Sequence, residues 1–292
     1  MRRYILSEQA YLDLLQELVD ESETGKLNSD RTGVGTYSLF HRTLRFNLQE
    51  GFPLLTTKKM SLKSIVGELL WFLSGSTNAK ELEEKYGCTI WREWALPDGE
   101  LNKVYGHQWR NFGQVQEYCE VAACLSGEDQ AYYDVQEGFD QIKWLINEIK
   151  TNPTSRRLYV TAANPNDRYE QQLDCCHNYF QVVIKNGKLN LYFQMRSTDV
   201  FLGLPYNIAS YAVLAHMLAL ECGYEVGELV YSGVDVHLYS NHIEQAKEQV
   251  SRETWGFPRL VVHKKPFFDY TLEDFELKCY VYHSAIKADV AV

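Results

Sequence analysis

Asp174-Cys175-Cys176-His177-Asn178-Tyr179-Phe180 opens an apolar strand, and the chain that follows turns back at Lys185-Asn186-Gly187-Lys188. Asn-Gly between two alternating apolar runs is a strong signal for a type I′ hairpin, whose two central residues both need positive φ. The return strand, Leu189 to Met195, carries Arg196-Ser197-Thr198-Asp199 at its end. Sulfur attacks only as the thiolate, and nearby positive charge is what lowers a thiol's pKa, so Arg196 is the natural partner of a nucleophilic cysteine here. The plainer reading makes Cys175 and Cys176 small buried hydrophobes.

Downstream, Gly203-Leu204-Pro205-Tyr206 reads as a tight turn into a helix from Asn207 to Glu221, apolar on most faces and closed by Gly223. A strand from Leu229 to Val236 then leads to Asp235-Val236-His237-Leu238-Tyr239, where alternation puts His237 and Tyr239 on one face. No second histidine stands at ligand spacing, so His237 reads as a hydrogen-bonding group and not a metal ligand. Ser240 caps a further helix to about Glu253, and two short strands precede the tail.

Upstream, Ser7 caps a helix through about Asp20, and Asn28 to Gly35 forms a loop with two glycines and Arg31. Leu44, Phe46 and Leu48 alternate as a half-buried strand. Ser61 and Gly75 bracket a helix over Leu62 to Ser74. That helix is apolar nearly all round, so Glu68 is buried with it, and burial raises a carboxyl pKa toward the range of an acid/base. A short helix lies around Ala79 to Tyr86. The tryptophans Trp91 and Trp94 fit either the core or a stacking surface for a flat ligand. Residues 114–138 are polar and weakly patterned, a surface insertion without discernible chemistry. After an amphipathic helix over Phe139 to Lys150, Arg156 and Arg157 enter a strand on opposite faces, so joint service to one anion needs a turn or a second subunit.

The chain has 292 residues, 45% hydrophobic and 23% charged, enough for a large core. Its net charge of -10 argues against general nucleic-acid affinity, so any anionic ligand needs a local arginine cluster. Seven cysteines without C-x-x-C spacing fit neither a disulfide framework nor a zinc site. The expectation is one α+β domain spanning 1–292, cytoplasmic, with no signal peptide, membrane span, metal or DNA partner.

Several ordered stretches then resemble the thymidylate synthase family over nearly the whole length. They are Asp30-Arg31-Thr32-Gly33, Phe52 to Lys58, Glu68 to Phe72, Val104-Tyr105-Gly106, Ser155-Arg156-Arg157, Cys176-His177, Arg196-Ser197, Asp199 to Asn207, and His237-Leu238-Tyr239. The resemblance implies an α+β fold with a large twisted, mainly antiparallel or mixed sheet covered by helices and paired through the sheet in a homodimer. It implies that Cys176 adds to C6 of dUMP, with Glu68, Tyr105, Asn207 and Asp199 serving the chemistry. It further implies a nucleotide site of Arg31, Arg196, Ser197, His177, Asn207, His237 and Tyr239, with Arg156 and Arg157 lent by the other subunit. Asparagine at 207 selects uracil, since the related phage deoxycytidylate hydroxymethylases carry aspartate there. Lys58, Ile90, Trp91, Asp199, Leu202, Gly203 and Val292 would hold the co-substrate 5,10-methylenetetrahydrofolate.

The chain departs from the family pattern at Cys175, where proline usually precedes the nucleophile, and at Asn102-Lys103, where Gly-Pro is usual. Arg92, Ala163 and Met195 are further departures. The phage hydroxymethylases share the missing proline and the Met-Arg-Ser reading. Two enzymatic outcomes therefore stand: hydride quenching to dTMP and dihydrofolate, or water quenching to 5-hydroxymethyl-dUMP and tetrahydrofolate. Val290-Ala291-Val292 resembles the segment that closes over the folate and excludes water, which favours hydride. A third reading, a binding protein for its own messenger RNA, conflicts with the retained Cys176, Glu68, Tyr105 and Asn207 and with the acidic charge.

Overall fold

The computed structural model of the chain describes residues 8–121 and 130–291, with side chains for 8–114 and 137–291. Ser7 and Val292 lie outside these residues. In order come α1 (Gln9–Thr24), β1 (Thr36–Asn47), α2 (Leu62–Ser74), α3 (Ala79–Tyr86), α4 (Tyr105–Arg110), β2 (Val115–Val121) and β3 (Gln130–Gln136). Then follow α5 (Gln141–Thr151), β4 (Tyr159–Thr161), β5 (Tyr179–Lys185), β6 (Lys188–Asp199), α6 (Gly203–Cys222), β7 (Glu225–Tyr239), α7 (Ile243–Val250), β8 (Arg259–Val262) and β9 (Phe275–Lys278).

Five strands form one mixed sheet in the order β1-β7-β6-β5-β4. Asn186 and Gly187 take φ of 53° and 72°, the signs a type I′ turn requires, and β5 pairs antiparallel with β6 across them. β6 and β7 run parallel because the long helix α6 crosses between them. All other neighbours in this sheet are antiparallel. α6 packs on β6 and β7, and α2 packs on α4 and α6. Leu214, Leu218, Phe193, Leu229 and Tyr231 are fully buried in that layer, part of one connected hydrophobic core. Each such side chain contributes about 1.5–3 kcal/mol by leaving water.

α2 begins and ends as its local chemistry dictates. The Ser64 N–H donates to Ser61 Oγ at 3.2 Å, and Gly75 closes the helix at φ 84°. α6 differs from expectation. It starts at Gly203 and not at Asn207, with Pro205 in its first turn, where a missing N–H costs nothing because no helical partner exists for it. Ser240 does not cap a helix side-on either: it lies in a short 3-10 turn and its hydroxyl donates to the Val34 carbonyl at 2.8 Å. α1 runs beyond Asp20, and its N-cap residue, Glu8, turns its carboxylate away to accept the Thr57 N–H at 2.8 Å and that of Thr56.

The region 114–138 contains β2 and β3, which pair with each other as a separate ribbon. A ribbon paired only with itself carries no strand on a sheet of the core, which explains its weak pattern in the sequence. Among the described residues no helix is long and apolar enough to cross a membrane.

Candidate active site

Cys176 sits where the loop 162–178 enters β5. Its carbonyl accepts the Arg196 N–H at 2.9 Å, and its own N–H donates to the Tyr105 phenol oxygen at 2.7 Å. The two neighbouring thiols differ sharply. Cys175 is 2% exposed, and burial pushes its thiol far up, the state of an inert structural cysteine. Cys176 is only partly buried. Burial raises its pKa, Arg196 and Arg31 pull it down, Asp174 pushes it up, and in a single chain the net direction is upward.

Arg196 is fixed by its own loop. Its Nη2 donates to the Asp174 carbonyl at 2.7 Å and its Nε to the Cys175 carbonyl at 3.2 Å, with an Asp174 carboxylate oxygen at 3.5 Å. Arg31 stands exposed on a loop that Asp30 braces, accepting the Thr32 hydroxyl at 2.6 Å and the Gly35 N–H at 2.9 Å. Arg156 and Arg157 are exposed just before the edge strand β4 and enter no ion pair among the described residues. The structure thus brings Arg31 and Arg196 into the field of Cys176 and leaves the adjacent arginine pair facing outward.

Glu68 is buried on α2, as the all-round apolar helix required. Burial raises its pKa to about 7, against the opposing pull of the Trp91 indole, whose Nε1–H donates to Oε1 at 2.7 Å. Trp91 meets Trp71, Phe72, Trp94 and Tyr105 at ring separations of 5.9 to 6.2 Å, so the tryptophans are packed in the core. Tyr105 opens α4 and stacks on His177 at 3.9 Å and 8°. His177 is buried, its Nδ1 lies 2.9 Å from Tyr211 Oη, and burial holds its pKa at about 3, so the ring is neutral and backs Tyr105.

The sheet register gathers the remaining groups at one end. Ser197 pairs with Asp235 and Asp199 with His237 across β6 and β7, while Thr36 and Ser38 of β1 face Tyr239 and His237. His237 Nδ1 lies 3.5 Å from the Asp235 carboxylate, which the imidazole holds below its ordinary pKa. Asp199 Oδ1 accepts the N–H groups of Phe201 and Leu202 at 3.0 and 3.1 Å, bracing the start of α6. A Cβ placed on Gly203 would lie 3.7 Å from Asp199 and 3.8 Å from Asn207 Oδ1, which puts these three residues around one space. Starting α6 at Gly203 sets Asn207 in its second turn, partly exposed.

The residues suited to a flat co-substrate are divided. Ile90 is 47% exposed beside buried Trp91, and Leu202 and Gly203 are partly exposed next to Asp199. An apolar wall with a half-buried carboxylate fits a fused ring bearing N–H groups. Lys58 is turned inward instead: its ammonium donates to the Phe201 carbonyl and lies 3.9 Å over that ring, and burial lowers its pKa to about 8. Among the described residues no three His, Cys, Asp or Glu gather as a metal site.

Several supports carried no sequence signal. Tyr211 holds His177, and Gln171 joins the Cys175 amide to the Lys103 carbonyl, both through contacts between distant segments. A family model described as Thymidylate synthase matches residues 9–292.

Proposed function

The chain belongs to the thymidylate synthase family, and from that premise we propose that it transfers the one-carbon unit of 5,10-methylenetetrahydrofolate to C5 of dUMP and reduces it to a methyl group. The products are dTMP and dihydrofolate. One-carbon transfer to dUMP follows from the family.

The observation that carries the proposal is the contrast between the two thiols, Cys175 sealed in the core and Cys176 partly open in the field of Arg196 and Arg31. Cys176 Sγ attacks C6, and the electron pair of the C5–C6 double bond moves toward C5 and O4, which makes C5 nucleophilic. Asn207 can offer an acceptor to N3–H and a donor to O4, a pairing that favours uracil over cytosine. Arg31, Arg196 and Ser197 receive the phosphate, and His237 with Tyr239 the sugar hydroxyl. His177, neutral and stacked, keeps Tyr105 in place beneath the base.

Removal of the C5 proton runs through the Tyr105 phenol, whose oxygen lies 2.7 Å from the Cys176 amide nitrogen: as the phenol oxygen accepts that proton, it passes its own to water. Glu68 near pH 7 can hold or release a proton without a large cost in either direction. The folate supplies the methylene group and the hydride, held by Ile90, Trp91, Leu202, Gly203 and Asp199, with Lys58 available only after its ammonium leaves Phe201.

Homodimerisation is part of the proposal. Tyr159, Gln181, Tyr192, Val230 and Arg45 are aligned across the face of the sheet opposite α6, and Tyr159 and Val183 remain 43% and 48% exposed. A second copy on that face would cover it and bring Arg156 and Arg157 to the partner's phosphate, adding the charge that Cys176 lacks in one chain.

Water exclusion decides the product. The Asp289 carbonyl lies 2.8 Å from His242 Nε2, and His242 packs on Phe201 and Tyr239 at 5.5 and 5.8 Å, so the tail is tied beside the end of β7. That placement supports a closed, dry site and hydride transfer. Mass analysis of the product formed from dUMP and 5,10-methylenetetrahydrofolate, with absorbance followed for dihydrofolate, tests the reading. dTMP with dihydrofolate is expected; 5-hydroxymethyl-dUMP without dihydrofolate would make the protein a hydroxymethylase.

A further inference from the structure

Two positions at which the family usually carries proline are Lys103, ahead of Tyr105, and Cys175, ahead of the nucleophile. Each proline would fix φ and remove a backbone donor. Here the Cys175 N–H is present in a buried setting and must find an acceptor. It donates to Gln171 Oε1 at 3.3 Å. The other end of the same amide, Gln171 Nε2, donates to the Lys103 carbonyl at 2.9 Å.

That carbonyl also accepts Gln108 Nε2 at 2.9 Å, and Gln108 Nε2 reaches Asp167 Oδ2 at 2.9 Å. The Lys103 ammonium closes the ring on Asp167 Oδ1 at 2.9 Å. Asp167 is 4% exposed in its side chain and Lys103 25%, so this pair is shielded from solvent, and burial's upward push on the carboxyl is outweighed by Gln108 and Lys103, which hold it below its ordinary value. The α4 segment and the nucleophile loop are therefore joined through Gln171 to the Cys175 amide and through the Tyr105 phenol to the Cys176 amide, while Asn102, Lys103 and Gln108 hold Asp167 and Glu170 further back in the loop.

We propose that Gln171 is a positioning residue, which with the Lys103–Asp167 pair locks the backbone of the nucleophile loop against α4 in place of two prolines. The inference rests on the reading of Cys176 as nucleophile and Tyr105 as its neighbour in catalysis. Gln171 bonds the backbone of both segments and not the sulfur. It acts by setting where Cys176 and Tyr105 stand relative to each other, and small displacements of reacting groups are costly.

The test uses the full chain and three variants: Gln171→Ala, Cys175→Pro, and the two combined. Gln171→Ala should lower kcat by about tenfold or more, with KM for dUMP changed by less than about threefold. Proline at 175 abolishes the donor that the alanine orphans and restores the fixed φ, so the combined variant should recover most of the loss. Hydrogen exchange supplies a readout independent of turnover. In Gln171→Ala the peptides spanning 172–178 and 103–110 should exchange faster, while α6 and β7 stay as protected as before.

A wild-type protein that does not turn over dUMP would sink the functional reading, and hydrogen exchange would still judge the clamp. Unchanged kcat in Gln171→Ala, or exchange that rises equally throughout the chain, would overturn the inference. Should the proline variants fail to fold, Asp167→Asn stands in: it weakens the ion pair, and accelerated exchange confined to the same two peptides is expected, with no local change counting against the proposal.

Discussion

Glu68→Gln separates the cost of a buried carboxylate from its use. Burial lifts the Glu68 pKa from 4.5 to about 7, so the folded protein prefers the neutral form where the unfolded chain is already ionised. Between those two values the native state binds the extra proton, and stability therefore falls as pH rises through that window. A rise from 4.5 to about 7 corresponds to about 3 kcal/mol, present as a penalty above pH 7 and absent below pH 4.5. Glutamine keeps the size and the carbonyl that accepts the Trp91 indole, but it cannot ionise. Urea unfolding of both proteins at one fixed concentration should give the variant an advantage of under about 1 kcal/mol at pH 5 and of about 3 kcal/mol at pH 8. Turnover should fall by about 10²–10⁴, because the proton carrier is gone. A stability difference that does not change between pH 5 and pH 8 would refute the claim that Glu68 is held near neutral pH by burial.

Cys176→Ser should abolish product while Cys175→Ser leaves a working enzyme, read by dihydrofolate absorbance; the reverse pattern would move the nucleophile to the neighbouring sulfur. Asn207→Asp should shift preference from dUMP toward dCMP, measured as the ratio of kcat/KM, since the carboxyl offers cytosine the partner that the amide offers uracil. Arg157→Ala and Cys176→Ser should each be defective alone, yet their mixture after subunit exchange should regain activity, because a mixed dimer holds one site with both groups intact. Failure of the mixture to exceed either parent would place Arg157 outside the partner's site.

Local chemistry made parts of the fold legible before any coordinates. Ser61 and Gly75 bracket α2 because capping is decided within a few residues, and Asn186-Gly187 fixes the hairpin for the same reason. Alternation found only the C-terminal part of β1, whose first half includes exposed Phe40, and in β7 it missed the opening residues Glu225 to Glu228. α6 was misplaced at its start because Pro205 reads as a breaker until its position in the first turn is known. α4 leaves no periodic signal in the sequence, because six residues are too few to show one.

The site divides in the same way. Glu68 was legible because an all-round apolar helix leaves a carboxylate no exposed face. The cysteine and the arginines were legible as types, and the resemblance gave them roles. Their supports were not, because Glu8 with Thr57 and Gln171 with Lys103 join residues dozens of positions apart, and no periodicity records such a bond. Lys58 shows the limit from the other side: the motif says that it meets a ligand, whereas burial turns its ammonium onto Phe201.

Both possible products require a bond between the sulfur of Cys176 and C6 of the nucleotide, whichever donor completes the reaction. A dUMP analogue with fluorine at C5 cannot give up that position as a proton, so with the folate present the adduct should stall on the protein. Peptide mass mapping of the trapped complex should place the nucleotide on the fragment containing Cys175 and Cys176, and on Cys176 when Cys175 is replaced by serine. Nucleotide attached elsewhere, or full turnover of dUMP by Cys176→Ser, would contradict it.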